Sequence, residues 1–297
     1  MQSQGVNPQP ACRKARPAWL NKKINLGQCR EVETLLSGLS LNTVCHKALC
    51  PNIGECFNKK HATFLILGDA CTRACTFCAV HKKLPCPVDS DEPAHVAEAV
   101  VKLGLKHVVI TSVTRDDLAD GGAGHFVRTI EAIRVKAPGV AIEVLIPDLQ
   151  GDSDALTCIV KAKPEIIAHN VETVPSLYSL VRTGASYERS LGVLRSIKRI
   201  DATVLTKSGI MLGLGEQRRE VLSVCKDLVD NGCDFLSIGQ YLAPSKEHYP
   251  VQEFIRPEQF ELLKTQALDC GFRHVESGPY VRSSYAASQY LTGLSSR

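Results

Sequence analysis

Short apolar runs, rich in β-branched side chains, recur along the chain at Phe64–Leu67, His107–Thr111, Ile142–Ile146, Ile166–His169, Thr203–Thr206 and Phe235–Ile238. Between them lie longer segments whose apolar positions return every three or four residues: Ala94–Leu103, Phe126–Lys136, Ala155–Lys161, Leu191–Ile200 and Arg219–Asp230. The first pattern predicts buried strands and the second amphipathic helices. Their alternation builds parallel βαβ units, and six of them predict an incomplete barrel. Pro257–Cys270 adds a further helix. Polar stretches follow the predicted strands: the segment after Leu67, then Thr111–Asp120, Asn170–Thr173, Lys207–Glu216 and Gln240–Ala243. Barrel active sites are built where strands end, so these stretches should face one cavity.

The segment after Leu67 carries chemistry. It reads Cys71-Thr-Arg-Ala-Cys75-Thr-Phe-Cys78, a C-x3-C-x2-C spacing on a loop leaving a strand. Such close cysteines can converge on one small object. Three thiolates hold three irons of a [4Fe–4S] cluster and leave the fourth iron open for a substrate. A zinc site with a distant fourth ligand, or cysteines packing as small hydrophobes, would use the same residues. A second triad, Cys45, Cys50 and Cys56, has C-x4-C-x5-C spacing. By spacing alone it fits a cluster or a zinc site completed by His46 or His61.

The Cys71–Cys78 segment and its strand resemble the signature of the radical S-adenosylmethionine (AdoMet) superfamily. The Cys45–Cys56 segment, with Thr43-Val44 before it and Phe57 after it, narrows the resemblance to the lipoyl synthase family. Further matching stretches begin at Arg16-Pro-Ala-Trp-Leu20 and include Thr111–Gly122, His169–Thr173, Lys207–Glu216 and Gly278-Pro-Tyr-Val-Arg-Ser-Ser-Tyr285. Phe57 stands where Trp is common in the family, and Ala286 where histidine is common.

The resemblance implies a partial (β/α)6 TIM-like barrel with N- and C-terminal extensions, divided at residues 1–60, 61–243 and 244–297 within one structural domain. It implies two [4Fe–4S] clusters, one on Cys71, Cys75 and Cys78 and an auxiliary one on Cys45, Cys50, Cys56 and a serine, with Ser284 preferred to Ser283. Thr111, Asn170, Glu172 and Arg182 are the candidate AdoMet contacts. Amides and carboxylates suit its hydroxyl and ammonium groups, and arginine suits its carboxylate. Each of these residues would serve equally well in a cap or ion pair, and Arg115, Asp116 and Asp117 in a network that fixes their loop. The implied reaction is insertion of two sulfur atoms, at C6 and C8, into an octanoyl chain on a lysine of a lipoyl-carrier domain, with the auxiliary cluster as sulfur donor. Implied partners are an octanoylated carrier of the glycine cleavage H protein or 2-oxoacid dehydrogenase E2 type, an electron donor such as flavodoxin or ferredoxin, and a cluster-repair protein.

Composition adds limits. The 297 residues are 44% hydrophobic, enough for one large core, and carry a formal charge of +4 with no basic run interleaved with aromatics. That charge pattern argues against nucleic-acid binding, and no apolar stretch is long enough to span a membrane. The first acidic residue is Glu31, after Arg13, Lys14, Arg16, Lys22, Lys23 and Arg30. This start is compatible with a transit peptide; the family-like Trp19-Leu20 favours a short arm and a cytoplasmic protein. In a reducing compartment thirteen cysteines point to metal or buried thiols rather than disulfides. Cys158, Cys225, Cys233 and Cys270 are expected to pack in the core, Met211 likewise, and Cys12, Cys29 and Cys86 have no assigned role.

Overall fold

The computed structural model describes residues 15–21, 30–47, 50, 52–58, 63–285, 287 and 289–292. Cys12, Cys29 and His61 lie outside the described residues, as do Arg13, Lys14, Lys22 and Lys23. Eight strands form one sheet in sequence order. They are β1 (Asn42–Thr43), β2 (Thr63–Ile66), β3 (His107–Ser112), β4 (Ala141–Leu145), β5 (Ile166–Ala168), β6 (Leu205–Leu212), β7 (Phe235–Gln240) and β8 (His274–Gly278). β1 pairs antiparallel with β2, and every later neighbour pair is parallel.

The helices are α1 (Arg30–Gly38), α2 (Val44–Lys47), α3 (Ile53–Asn58), α4 (Glu92–Leu103), α5 (Ala123–Lys136), α6 (Ser153–Lys161), α7 (Tyr178–Val181), α8 (Tyr187–Ile200), α9 (Arg218–Asp230), α10 (Pro257–Cys270) and α11 (Gln289–Thr292). From β2 to β7, each strand is followed by a long helix, which gives the six βα units of a partial barrel. The sequence sets several boundaries. Pro257 opens α10, where a missing amide proton costs nothing. Asp152 caps α6 by accepting from the amides of Asp154 and Ala155. Gly104 ends α4 with φ +63°, a conformation open to glycine without a Cβ clash.

All of β2 and β7 is buried, as expected for parallel strands covered on both faces. Phe64, Ile66, Ile110, Phe126, Ile130 and Ile133 form the heart of one apolar cluster beneath β2–β4. A second cluster, with Val224, Leu228, Leu236 and Phe260, lies beneath β6–β8. No helix among the described residues is long and apolar enough to cross a membrane.

Three expectations need correction. The fifth strand is Leu205–Leu212, not Thr203–Thr206, so Lys207–Leu212 is strand and only the residues after it form the loop. Lys207 and Ser208 broke the apolar pattern, yet both are fully buried, Lys207 through its ion pair with Glu143 on β4 at 2.9 Å. The edge strands β1 and β8 extend the six-stranded reading. Cys158 is exposed rather than core: the buried face of α6 is Ala155, Leu156, Ile159 and Val160, and Cys158 falls off that stripe. Cys225 and Cys233 are buried as expected, Cys270 is half-buried, and Cys86 is exposed. Met211 packs against Val181, Leu214 and Tyr241.

Candidate active site

The loop after β2 is held from every side. The amide of Cys71 donates to His81 O at 2.9 Å, that of Thr72 to Thr114 O at 3.0 Å, and that of Thr76 to Val181 O at 3.0 Å. Phe77 packs on the cluster of Val181, Leu214 and Tyr241. Between the cysteines, the Arg73 guanidinium reaches Asp116 at 2.8 and 2.9 Å and Asp148 at 2.8 and 2.6 Å. One arginine thus ties the cysteine loop to the ends of β3 and β4, with the double-fork geometry that suits guanidinium and carboxylate. Burial opposes both charges, but each partner outweighs it: Asp148 is held well below the usual carboxylate range and Arg73 above its ordinary value. Arg115 pairs with Asp117 at 2.8 Å and donates to Leu67 O at 3.2 Å, while Asp116 pairs with Arg73, so the three residues fix the loop through two separate ion pairs.

Cys71, Cys75 and Cys78 are each half-buried. Burial, and then proximity to Cys75 and Cys71, pushes the Cys78 thiol up to about 12. Across from them stand residues of the β5 loop. Glu172 has φ +67°, unusual for a side-chain-bearing residue, and is pinned there by Glu172 N to Gly209 O and Met211 N to Glu172 O, both 2.9 Å. Burial raises its carboxyl, while the Arg182 charge and the Asn170 amide pull the other way. Arg182 donates to Tyr178 Oη and Ser190 Oγ, each at 2.8 Å, and its charge acts on Cys75. No carboxylate among the described residues pairs with it. Its neighbour His169 has Nδ1 2.9 Å from Ile146 O, which makes Nδ1 the donor and leaves Nε2 an acceptor facing Arg182 Nη2 at 3.4 Å. Thr111 is the exception among the predicted contacts: its hydroxyl donates to Leu145 O at 2.9 Å, within the sheet.

Cys45, Cys50, Cys56 and Ser284 line one cavity, with Asn52, Thr63, His107, Val109, Arg282, Tyr285 and Ala287 completing the wall. Cys45 comes from α2, Cys56 from α3 and Cys50 from between them in sequence, and Ser284 arrives from beyond β8. Its segment is fastened by Asn52 Nδ2 to Tyr280 O at 2.6 Å and by Tyr285 Oη to Glu55 at 3.2 Å. On the barrel side Asn170 Nδ2 donates to Ser283 Oγ at 2.5 Å, which leaves Ser284 as the serine on the cavity wall. Burial first, then Cys50 and Cys56, pushes the Cys45 thiol up to about 12.

Both triads suit an iron–sulfur cluster. Their thiols repel one another as thiolates and would lose their protons on meeting a cation. Among the described residues no three His, Cys, Asp or Glu side chains close on a single ion position; the thiolates of a multi-iron cluster need not, because each meets a different iron. Sequence reasoning missed Asn52, Arg73, His107 and Arg282. Asn52 and Arg73 lie inside the triads, the one available signal, whereas the placement of His107 depends on the fold.

Barrel, cysteine loop and strand-end polar residues together define a radical AdoMet protein, and the Radical SAM superfamily model matches residues 65–228. The lipoyl synthase of Geobacter metallireducens is 59% identical over 93% of this chain and 97% of its own length. That of Caldanaerobacter subterraneus is 54% identical over 93% and 97%. The chain therefore belongs to the lipoyl synthase family and is a radical AdoMet sulfurtransferase. The fold is also that of methylornithine synthase (16% identity, TM-score 0.56, covering 84% of this chain and 81% of that one). SuiB of Streptococcus suis bound to its precursor peptide SuiA is similar too (10% identity, TM-score 0.58, covering 94% and 60%).

Proposed function

We propose that this chain inserts two sulfur atoms, at C6 and C8, into an octanoyl chain amide-linked to a lysine of a lipoyl-carrier domain. The observation that carries this reading is the cavity shared by Cys45, Cys50, Cys56 and Ser284, a second cysteine-lined site apart from the Cys71–Cys78 loop. Cys71, Cys75 and Cys78 would hold one [4Fe–4S] cluster with an open iron, and Cys45, Cys50, Cys56 and Ser284 the auxiliary cluster. When bound, the first cluster and AdoMet supply a 5′-deoxyadenosyl radical, and the auxiliary cluster supplies sulfur.

The chain's own residues then do the rest. Arg73, Asp116 and Asp148 hold the cysteine loop rigid. Arg182 offers a cation to the AdoMet carboxylate, Glu172 and the Asn170 carbonyl oxygen offer acceptors to its ammonium and ribose, and Thr111 supports that wall from β3. The Asn170 oxygen suits the task, being buried with no hydrogen-bond partner among the described residues. Ser284 would give the auxiliary cluster a hard oxygen donor, weaker toward iron than a thiolate. Ser284→Cys should keep both clusters and lose double sulfur insertion.

The division at residues 1–60, 61–243 and 244–297 follows this reading, because both extensions serve the auxiliary site. Partners are an octanoylated carrier domain, an electron donor of the flavodoxin or ferredoxin kind and a cluster-repair protein, in the cytoplasm. The test is the mass of an octanoyl-lysyl carrier domain after anaerobic incubation with reconstituted protein, AdoMet and reductant. Two added sulfurs with 5′-deoxyadenosine support the proposal. An unchanged carrier alongside 5′-deoxyadenosine would reject it.

A further inference from the structure

A chain of contacts beneath the cavity runs through residues to which the proposal above gives no role in holding AdoMet or iron. Lys207 on β6 is fully buried, with its ammonium 2.9 Å from Glu143 Oε1 on β4 and 3.8 Å from the centre of the Tyr290 ring on α11. Glu143 Oε2 lies 3.6 Å from His107 Nε2 on β3, and His107 lines the cavity. On the other side, the Tyr290 amide donates to Ala287 O at 3.3 Å, and Ala287 lines the same cavity. The chain of contacts thus runs from one cavity wall through His107, Glu143, Lys207 and Tyr290 to the other wall, the one that carries Ser284.

Tyr290 is 1% exposed and packs on Phe235 at 5.3 Å and His274 at 5.0 Å. Its hydroxyl has no hydrogen-bond partner among the described residues, so its ring, not its oxygen, makes the contacts. A desolvated ammonium over an aromatic face is among the stronger forms of this attraction. Burial lowers the Lys207 pKa, and the Glu143 carboxylate 2.9 Å away opposes that shift.

We infer that Lys207 and Tyr290 form a latch that seats the C-terminal segment on the barrel and so positions Ser284 at the Cys45–Cys56 cavity. The inference rests on the auxiliary-cluster reading above. Lys207, Glu143 and Tyr290 are positioning residues, since none touches substrate or reacting atoms.

The test compares full-length Tyr290→Leu, Tyr290→Phe and the unaltered chain after anaerobic reconstitution. Each is read by iron per chain, by Mössbauer spectrum and by reductive AdoMet cleavage. The unaltered chain should bind about eight irons and Tyr290→Phe the same, while Tyr290→Leu falls toward four and still cleaves AdoMet through the Cys71–Cys78 site. Tyr290→Leu with the unaltered iron content and spectrum would overturn the latch, as would loss of both clusters together or an equal loss in Tyr290→Phe. Only four irons in the unaltered chain would instead remove the auxiliary-cluster reading itself.

Discussion

The Asn170 side-chain amide donates at once to Ser283 Oγ at 2.5 Å and to Glu172 at 3.1 Å, and so joins the loop after β5 to the segment that presents Ser284. Two sites far apart in sequence therefore share one side chain. Asn170→Ala should reduce 5′-deoxyadenosine formation and carrier sulfuration together. A lost hydrogen bond in a buried setting costs about 1–3 kcal/mol, so falls of about tenfold to about a hundredfold are expected. Parallel rate measurements check this; a fall in sulfuration alone would confine Asn170 to the serine side.

Arg73 holds two carboxylates, one of them on the fully buried Asp148 side chain. Arg73→Met should destabilise the fold by about 1–3 kcal/mol, because it leaves the buried Asp148 carboxylate with Arg189 at 3.3 Å as its remaining cation. Arg73→Lys should recover little, since an ammonium cannot match two carboxylates with a fixed fork. Urea unfolding of the three proteins, with iron content of the Cys71–Cys78 site, measures both effects.

At Gly239 on β7 the C-terminal segment lies tight against the sheet, and a Cβ there would meet the backbone oxygen of Val281 well inside contact distance. Backbone cannot move aside as a flexible side chain does. Gly239→Ala should displace the Val281–Ser284 segment at a cost of about 1–3 kcal/mol, with loss of iron from the Cys45–Cys56 site and retention at the other. Mössbauer spectroscopy separates the two.

His169 is fully buried, and burial, then the charge of Arg182, lowers its pKa to about 3. The unfolded chain takes up this proton below about pH 6.5, whereas the folded chain stays neutral until far lower. Stability must therefore decline as the pH falls through that window. Between about pH 7.5 and about pH 5.5 the loss from this one group is on the order of 1 kcal/mol. Urea midpoints at the two values should show it, and His169→Asn, which keeps a donor for Ile146 O, should flatten that part of the profile.

The strands from Phe64 to Ile238 were legible because parallel strands covered on both faces are written as solid apolar runs. β8 was not: its residues alternate between buried and half-buried, and its sequence, His-Val-Glu-Ser-Gly, carries one strongly apolar side chain. The true length of β6 was hidden by Lys207, whose partner Glu143 lies on another strand and cannot be paired with it by eye. That each cysteine triad gathers in one place was legible from spacing, since residues this close in sequence need no fold to bring them together. Ser284, more than two hundred residues from Cys56, came only from the family resemblance, and Arg73 gave no sign that its partners would be Asp116 and Asp148. The hydrogen bond from the Thr111 hydroxyl to Leu145 O depends on the pairing of β3 with β4 and left no mark in the sequence.

The central claim is that the Cys45, Cys50, Cys56 and Ser284 site holds the sulfur that reaches the substrate. It is tested most directly by reconstituting the clusters with ³⁴S-sulfide, removing free sulfide, and weighing the octanoyl-lysyl carrier after reaction with AdoMet and reductant. The expected product carries two heavy sulfurs from the unaltered chain and none from Cys50→Ala, although the latter still forms 5′-deoxyadenosine. A product carrying unlabelled sulfur, or heavy sulfur from Cys50→Ala, would contradict the claim.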